Sequence, residues 1–338
     1  MKKSLIALAV LAASGAAMAQ SSVQIYGVAD LWFGSVSVKE NGVKHYPESQ
    51  TGLFDGGVSN SRFGFKGSED LGGGLKANFQ LEQGFNLDDG TTSSAGFNRQ
   101  AWVGFSGGFG EVRLGKAYSA FDDVSGLAAS VFDSDLAPIN NVFYTTAAAD
   151  AFANTVKYTT PSFGGFTGSF SYSFGEDKTA STKASKLYSL SGLYENGPIA
   201  VGVGYLKADT DVQGFGVADA SATRLAGSYD LGVAKLLATY GRGKASFAGL
   251  TDKATEWELG ADVPLASNLA LSVGYARTSV KSNGVKVEKA SSFGAALAYS
   301  LSKRTTVYAG VNNTKFEDVP LTTTEKQNIY AVGLKHTF

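Results

Sequence analysis

Phe293-Gly-Ala-Ala-Leu-Ala-Tyr299 alternates between two kinds of side chain. Phe293, Ala295, Leu297 and Tyr299 share one face of an extended segment, with Gly294, Ala296 and Ala298 on the other, because successive strand residues point to opposite sides. The pattern spreads outward from there. Trp257, Leu259, Ala261 and Val263 stand against Glu256, Glu258, Gly260 and Asp262, and Leu269, Leu271, Val273 and Tyr275 repeat the apolar face. Phe166, Phe170, Tyr172 and Phe174 alternate with Thr167, Ser169, Ser171 and Ser173. The chain closes the same way, with Tyr330, Val332, Leu334 and Phe338 in one phase and Lys335 and Thr337 in the other. Each segment has one apolar and one wettable face.

Composition supports strands. The 338 residues include 42 glycines against 6 prolines, with 22 phenylalanines and 15 tyrosines. Glycine disfavours helix interiors by about 1 kcal/mol per position, whereas aromatics suit a pleated surface. With no cysteine, a disulfide scaffold, a thiol nucleophile and a cysteine-held zinc or iron–sulfur site are excluded. A balance of 29 basic against 30 acidic residues argues against a nucleic-acid partner. No cofactor or metal is expected.

The amino-terminal stretch reads as an address. Lys2 and Lys3 precede an apolar run from Leu5 to Ala13, and Ala17-Met18-Ala19 presents small residues at both key positions of a cleavage site. This is the pattern of a secretory signal peptide. The run is shorter than the roughly 20 residues a spanning helix needs. Residues 1–19 are therefore expected to be removed, leaving 20–338 as one domain.

A soluble β-sandwich also alternates, so three further features decide the solvent. Aromatics recur near strand ends, at Tyr172, Tyr205, Tyr229, Tyr240, Tyr275 and Tyr299, as in the girdles of a membrane barrel. Short turns such as Asp70-Leu-Gly-Gly-Gly74, Gly107-Gly-Phe-Gly110, Asn196-Gly-Pro198 and Asp230-Leu-Gly232 are expected to alternate with longer polar connections. The chain also ends within a strand, on an aromatic residue. In hydrocarbon an unpaired backbone N–H or C=O costs several kcal/mol, so only a closed sheet survives. The expectation is an all-β, transmembrane antiparallel β-barrel of about sixteen strands, with both ends at the periplasmic rim. That size leaves a water-filled channel, whereas about eight strands fill their own interior. Gly, Ala, Ser and Thr dominate the wettable phase, which argues for open space inside. The prolines (Pro47, Pro138, Pro161, Pro198, Pro264 and Pro320) fall in expected loops, turns or strand ends, where a missing ladder donor does least harm.

Several pieces carry a family resemblance: Ser22-Val-Gln-Ile-Tyr-Gly-Val28, Ser61-Arg-Phe-Gly-Phe-Lys-Gly-Ser-Glu-Asp-Leu-Gly-Gly-Gly-Leu75, Asn98-Arg-Gln-Ala-Trp-Val-Gly104, Gly108-Phe-Gly-Glu-Val-Arg-Leu-Gly115 and Val332-Gly-Leu-Lys-His-Thr-Phe338. Together they resemble the general trimeric porins of Gram-negative outer membranes, of the β-proteobacterial and neisserial type. The resemblance implies an outer-membrane homotrimer amid lipid and lipopolysaccharide, passing small hydrophilic solutes and ions by passive diffusion. A substrate-selective channel is the alternative. It also implies a third loop folded into the lumen as a constriction, here from about Tyr118 to about Asn154. Asp122, Asp123, Asp133 and Asp135 would lie on that loop. Wall cations of the family map onto Arg62 and onto Lys116, where the family usually carries arginine. Lys157 shares the polar phase of Thr155 and is a further candidate. Arg113 alternates with Val112 and Leu114 and should face the lumen. Carboxylates opposite cations across a narrow aqueous throat create a transverse field, focused by low-dielectric walls. The terminal pattern of Tyr330, Val332, Leu334 and Phe338 resembles the signal read by the barrel-assembly machinery, with Thr337 where a basic residue is usual.

An enzyme reading finds little support. Most hydrolytic sites use histidine as base or orienter, and the two here are His45 in the first long loop and His336 in the apolar phase. Asp133-x-Asp135 lacks the glycine and terminal glutamate of a calcium loop, and Gly241-Arg-Gly-Lys244 lacks phosphate-loop spacing. Glu256 and Glu258 are successive inward positions on one strand.

Overall fold

A computed structural model describes residues 22–338 except 93–95, 129, 131, 149 and 213–215; the expected signal peptide lies outside the described residues. The first strand segments are β1 (Ser22–Glu40), β2 (Val43–Lys44), β3 (Gln50–Asp55), β4 (Arg62–Gly72), β5 (Leu75–Gly84) and β6 (Gln100–Gly107). Then follow β7 (Gly110–Tyr118), β8 (Ala151–Thr159), β9 (Phe166–Phe174), β10 (Lys186–Asn196), β11 (Ile199–Val212) and β12 (Gly216–Asp230). The last are β13 (Lys235–Phe247), β14 (Leu250–Ala266), β15 (Leu269–Ser282), β16 (Val285–Ser300), β17 (Thr305–Asp318) and β18 (Thr323–Thr337). Neighbours in sequence pair antiparallel, and β18 returns to β1 from Val28↔Thr337 to Glu40↔Glu325. The sheet therefore has no edge.

These segments occupy sixteen places in the wall, because β2, β3 and β4 share one. The upper half of β1 pairs with β3, its lower half with β4. Between them, residues 56–61 leave the ladder and turn inward. Asp30 holds this break: its carboxylate accepts the N–H groups of Val58 (3.1 Å) and Ser59 (2.8 Å) and the hydroxyl of Tyr308.

The alternation resolves as expected. Leu259, Phe293 and Val332 are 59%, 46% and 64% exposed on the outer surface, whereas Glu256 and Ala276 on the inner phase are wholly buried. A soluble sheet would invert this polarity; hydrocarbon outside and water inside require it. The start of β1 and the carboxy-terminal Phe338 lie at one rim, where Phe338 and Gly27 exchange backbone hydrogen bonds of 3.0 and 3.1 Å. The opposite rim departs from expectation. Ala248-Gly249 and Asn283-Gly284 close β13–β14 and β15–β16 as two-residue turns with positive φ throughout, the backbone that tight hairpins demand. Strands of 17 and 16 residues at β14 and β16 exceed the 9–11 that a membrane needs. Their surplus length takes the place of long polar loops.

The largest connection, between β7 and β8, folds into the barrel. It contains a 3-10 turn (Asp122–Ala128), a short helix α1 (Pro138–Val142) and a second 3-10 turn (Tyr144–Ala148). Phe132 and Leu136 pack with Val58, Trp32 and Tyr308; Val142 and Phe143 pack on Ala276 and Ala290; Phe121 packs on Leu187, Leu206 and Ala222. The inturned break adds a backbone clasp, with Asp133 N–H donating to the Val58 carbonyl (2.9 Å) and Leu136 N–H to Gly57 (3.1 Å).

This docking revises the meaning of the small inward residues. A methyl group built on Gly294 would sit 2.3 Å from the Leu136 carbonyl oxygen, and one on Gly202 would lie 2.5 Å from Leu127. Along this arc the missing side chains leave room for the loop rather than for water.

The candidate pore constriction

Where the loop crosses the barrel it leaves a cavity of about 580 Å³, lined by Arg99, Tyr118, Asp122, Asp133, Asp135 and Arg224 among others. One group of charge stands on the wall beside it and another on the loop. On the wall, buried Glu82 accepts Arg99 Nε at 2.7 Å, while Arg62 Nε stands 3.9 Å away. Arg62 also donates to the Asn60 carbonyl at 2.8 Å, on the inturned break. Glu82 takes a third contact from the Tyr26 hydroxyl at 2.8 Å. The carboxylate thus fixes the Arg99 guanidinium and attracts that of Arg62, without occupying all their donors.

On the loop side, Asp133 projects from the clasp into the cavity, where Arg62 and Arg99 both act on its charge. Asp122 and Asp135 are more enclosed. Burial, reinforced by neighbouring Asp123, pushes the Asp122 carboxyl up to about 6. Burial, with Asp55 and Asp30 close by, pushes Asp135 up to about 7. Removing a carboxylate from water disfavours its charged form, so both titrate near neutrality.

The other sequence-derived candidates sit elsewhere. Lys157 is buried, donates to Asp123 at 2.5 Å and to the Ser119 carbonyl at 3.3 Å. That pair fastens the start of the loop to β8 rather than lining the throat. Arg113 is inward as expected, bonded to Glu111 at 2.7 Å and lying over the Trp102 ring at 4.5 Å. It lines a separate hollow with Lys66, Lys76 and Glu111, toward the rim that carries Phe338. Lys116 pairs with Ala101, in phase with Leu114 opposite Val103. A β-bulge between Gly115 and Ala117 marks this point and interrupts the alternation at Lys116. Bulges re-aim side chains in this way without altering the sequence pattern.

Three participants escape a strand-by-strand reading. Arg99 precedes β6, so no alternation assigns it. Glu82 gains its role only from the two arginines beside it. Arg224 is the third, and its sequence does hold a signal: a large cation between Ala222 and Ala226 in an inward phase of small residues. It is buried, donates to Ser125 (2.5 Å) and Thr145 (3.0 Å) at opposite ends of the loop, and lies over Phe121 and Phe143. Neighbouring Glu256 accepts the N–H of Tyr144 at 2.8 Å, along with the N–H and hydroxyl of Thr145. These two charges clamp the loop.

Among the described residues, no catalytic arrangement forms around the histidines: His45 lies 3.0 Å from Glu40 on the exposed upper rim, and His336 contacts the Thr305 hydroxyl.

Comparison with known proteins agrees with this geometry. A family model described as Gram-negative porin matches residues 5–319. The chain is 36% identical to outer membrane porin protein 32 of Delftia acidovorans, over 99% of this chain and 95% of that protein. It is also 36% identical to the major outer membrane protein P.IB of Neisseria meningitidis, across 68% and 67% of the two chains. A solved anion-selective porin from Comamonas acidovorans superimposes with a TM-score of 0.80 at 28% identity, over 94% of this chain and all of that one. A closed barrel with apolar exterior, a loop narrowing its aqueous middle, and a relative matched over nearly its whole length lead to one conclusion. The chain belongs to the Gram-negative porins, and it forms an outer-membrane channel for passive diffusion of small hydrophilic solutes and ions.

Proposed function

We propose that the throat sorts solutes by a transverse field running from Arg62 and Arg99 on the wall to Asp133 on the loop. The observation that carries this reading is the pair of arginines beside Glu82, both of which act on the charge of Asp133. Ions and dipolar solutes gain from such a field, whereas apolar ones lose hydration without return. Lys157 and Asp123 support the field indirectly by holding the loop; Arg113 acts on solutes leaving through the lower vestibule.

The Comamonas structure is described as anion-selective. In this chain the sign depends on pH, because Asp122 and Asp135 share the cavity with Arg99 and Arg224. Both are ionised well above pH 7, and their raised values make them gain protons as pH falls through 7 and then 6. The arginines stay charged throughout. The anion-to-cation permeability ratio is therefore expected to rise severalfold between pH 8 and pH 5. Reversal potentials in planar bilayers under asymmetric salt measure it. A ratio that stays flat or falls removes the two aspartates from the throat.

The same reading extends to assembly: a homotrimer within lipid and lipopolysaccharide, delivered by the barrel-assembly machinery through the terminal pattern of Tyr330, Val332, Leu334 and Phe338. Phe338 supports this role because it stands exposed at the seam beside Gly27, where its backbone closes β1 against β18. Deleting Phe338 removes those two hydrogen bonds, worth about 1 kcal/mol each, together with the terminal aromatic. Outer-membrane yield should drop to a small fraction, measured by fractionation and heat-modifiable electrophoresis; normal yield would dismiss the signal.

A further inference from the structure

A charge of the wall and a charge of the loop hang on one short piece of chain. The inturned segment 56–61 holds the loop through three carbonyls: Gly56 accepts the N–H of Asp135 (3.2 Å), Gly57 that of Leu136 (3.1 Å) and Val58 that of Asp133 (2.9 Å). The Asn60 side chain accepts the Ser134 hydroxyl at 3.0 Å, and the Asn60 carbonyl accepts Arg62 at 2.8 Å. Arg62 and Asp133 therefore take their separation from where this segment sits.

The segment is itself set from behind. Asp30 is wholly buried. One oxygen of its carboxylate accepts the N–H groups of Val58 and Ser59, and the other accepts the Tyr308 hydroxyl. Its backbone holds the same stretch: the carbonyl accepts the N–H of Gly56 (3.0 Å) and the Ser61 hydroxyl (3.3 Å), and the N–H donates to the Ser61 oxygen (3.0 Å). Tyr308 belongs to β17, and β18 runs between it and β1. Its partner on β18 is Gly333, whose partner on β1 is Trp32. The bare backbone at Gly333 lets the phenol pass over β18 to Asp30; a methyl group built on Gly333, or on Gly57, would run into Tyr308.

Hydrogen bonds from backbone N–H groups to a carboxylate are stronger than those to a neutral acceptor, and a buried N–H stripped of its acceptor is costly. The segment therefore has one well-determined position. Asp30 and Tyr308 themselves lie outside the lining of the throat cavity. We infer that they are positioning residues for permeation: without meeting a solute, they set the distance between Arg62 and Asp133 and thereby the strength of the transverse field. This inference rests on the throat reading and extends it to residues that no solute touches.

The test couples two substitutions in the whole protein, read by reversal potentials in planar bilayers at low salt. In the otherwise unmodified chain, Asp133→Asn should raise the anion-to-cation permeability ratio about twofold, as for one unit charge in a screened throat. In an Asp30→Leu background the same change should raise it far less. Two buried N–H groups have then lost their acceptor, and the segment no longer keeps Asp133 near the arginines. Asp30→Asn retains an acceptor oxygen in the same shape and should preserve most of the Asp133 effect. A role in assembly alone would lower yield or melting temperature, yet leave the Asp133→Asn effect at full size in the channels that form; that result overturns the inference. Should Asp30→Leu fail to assemble, Tyr308→Phe carries the same test, and an undiminished Asp133→Asn effect there overturns the inference too. No response to Asp133→Asn in the unmodified chain would remove the throat reading before Asp30 is altered, and this inference with it.

Discussion

Replacing Arg224 by methionine is expected to release the constriction loop while leaving the barrel closed. Arg224 reaches Ser125 and Thr145 on two separate stretches of the loop and lies over Phe121 and Phe143. It also neutralises Glu256, which has no exposure to solvent. Methionine keeps much of the apolar stem but strands that carboxylate. Removing one partner of a buried charged set costs about 3 kcal/mol, and each 1.4 kcal/mol is tenfold in population. The undocked loop should therefore become roughly a hundredfold more frequent. The wall is untouched, since every strand of the sheet keeps its ladder. Single-channel recordings should show conductance steps above the unmodified level and more open-channel noise. The double variant Arg224→Met, Glu256→Gln should recover much of the docking, because it removes the stranded charge as well. Unaltered conductance and noise in the single variant would mean that the apolar contacts alone hold the loop.

Neutralising both Arg62 and Arg99 as glutamines should reverse the character of the throat. The two cations stand 3.9 and 2.7 Å from Glu82; without them, Glu82 joins Asp122, Asp133 and Asp135 as uncompensated negative charge. At an effective dielectric constant near 20, a unit charge a few ångströms from a permeating ion is worth some 2–4 kcal/mol before screening. In an open, salt-filled throat most of this is screened. A five- to tenfold fall in the anion-to-cation permeability ratio is expected at low salt, shrinking as ionic strength rises. Reversal potentials at two salt levels check both points. Adding Glu82→Gln to the pair should restore part of the ratio. Arg113→Gln, lying in the other hollow, should change it far less. Equal effects from Arg113 would shift the selective region to the lower vestibule.

Much of the fold was legible because a strand exposes its environment residue by residue. Leu259 outward and Glu256 inward are separated only by period 2, and no distant contact is needed to assign them. Closure followed from the needs of backbone in hydrocarbon, and the size of the lumen from the number of segments. The site was legible in part. Arg62 lay within a family pattern, and Asp133 lay on a stretch without alternation. Lys116 sat in an equally persuasive pattern, but it stands at the bulge beside Gly115, where alternation alone assigns no face. Lys157 and Asp123 looked like opposed throat charges; their 2.5 Å contact makes them a fastening instead. The wall glycines suggested open space, whereas Gly294 and Gly202 are seats for the loop.

What the sequence determined by itself is the inverted polarity: apolar side chains on the outside, small and polar ones within, and too many strands to fill the middle. Those properties are local, because strand geometry assigns each side chain to a face from its position alone. Only the tertiary structure decided which charges meet. Arg99 and Glu82 are 17 residues apart, Arg224 and Thr145 are 79, and Tyr308 and Asp30 are 278. Their proximity depends on the register of a closed sheet and on the path of one loop across it. Both are fixed by pairings between distant strands, and no short window of sequence contains them.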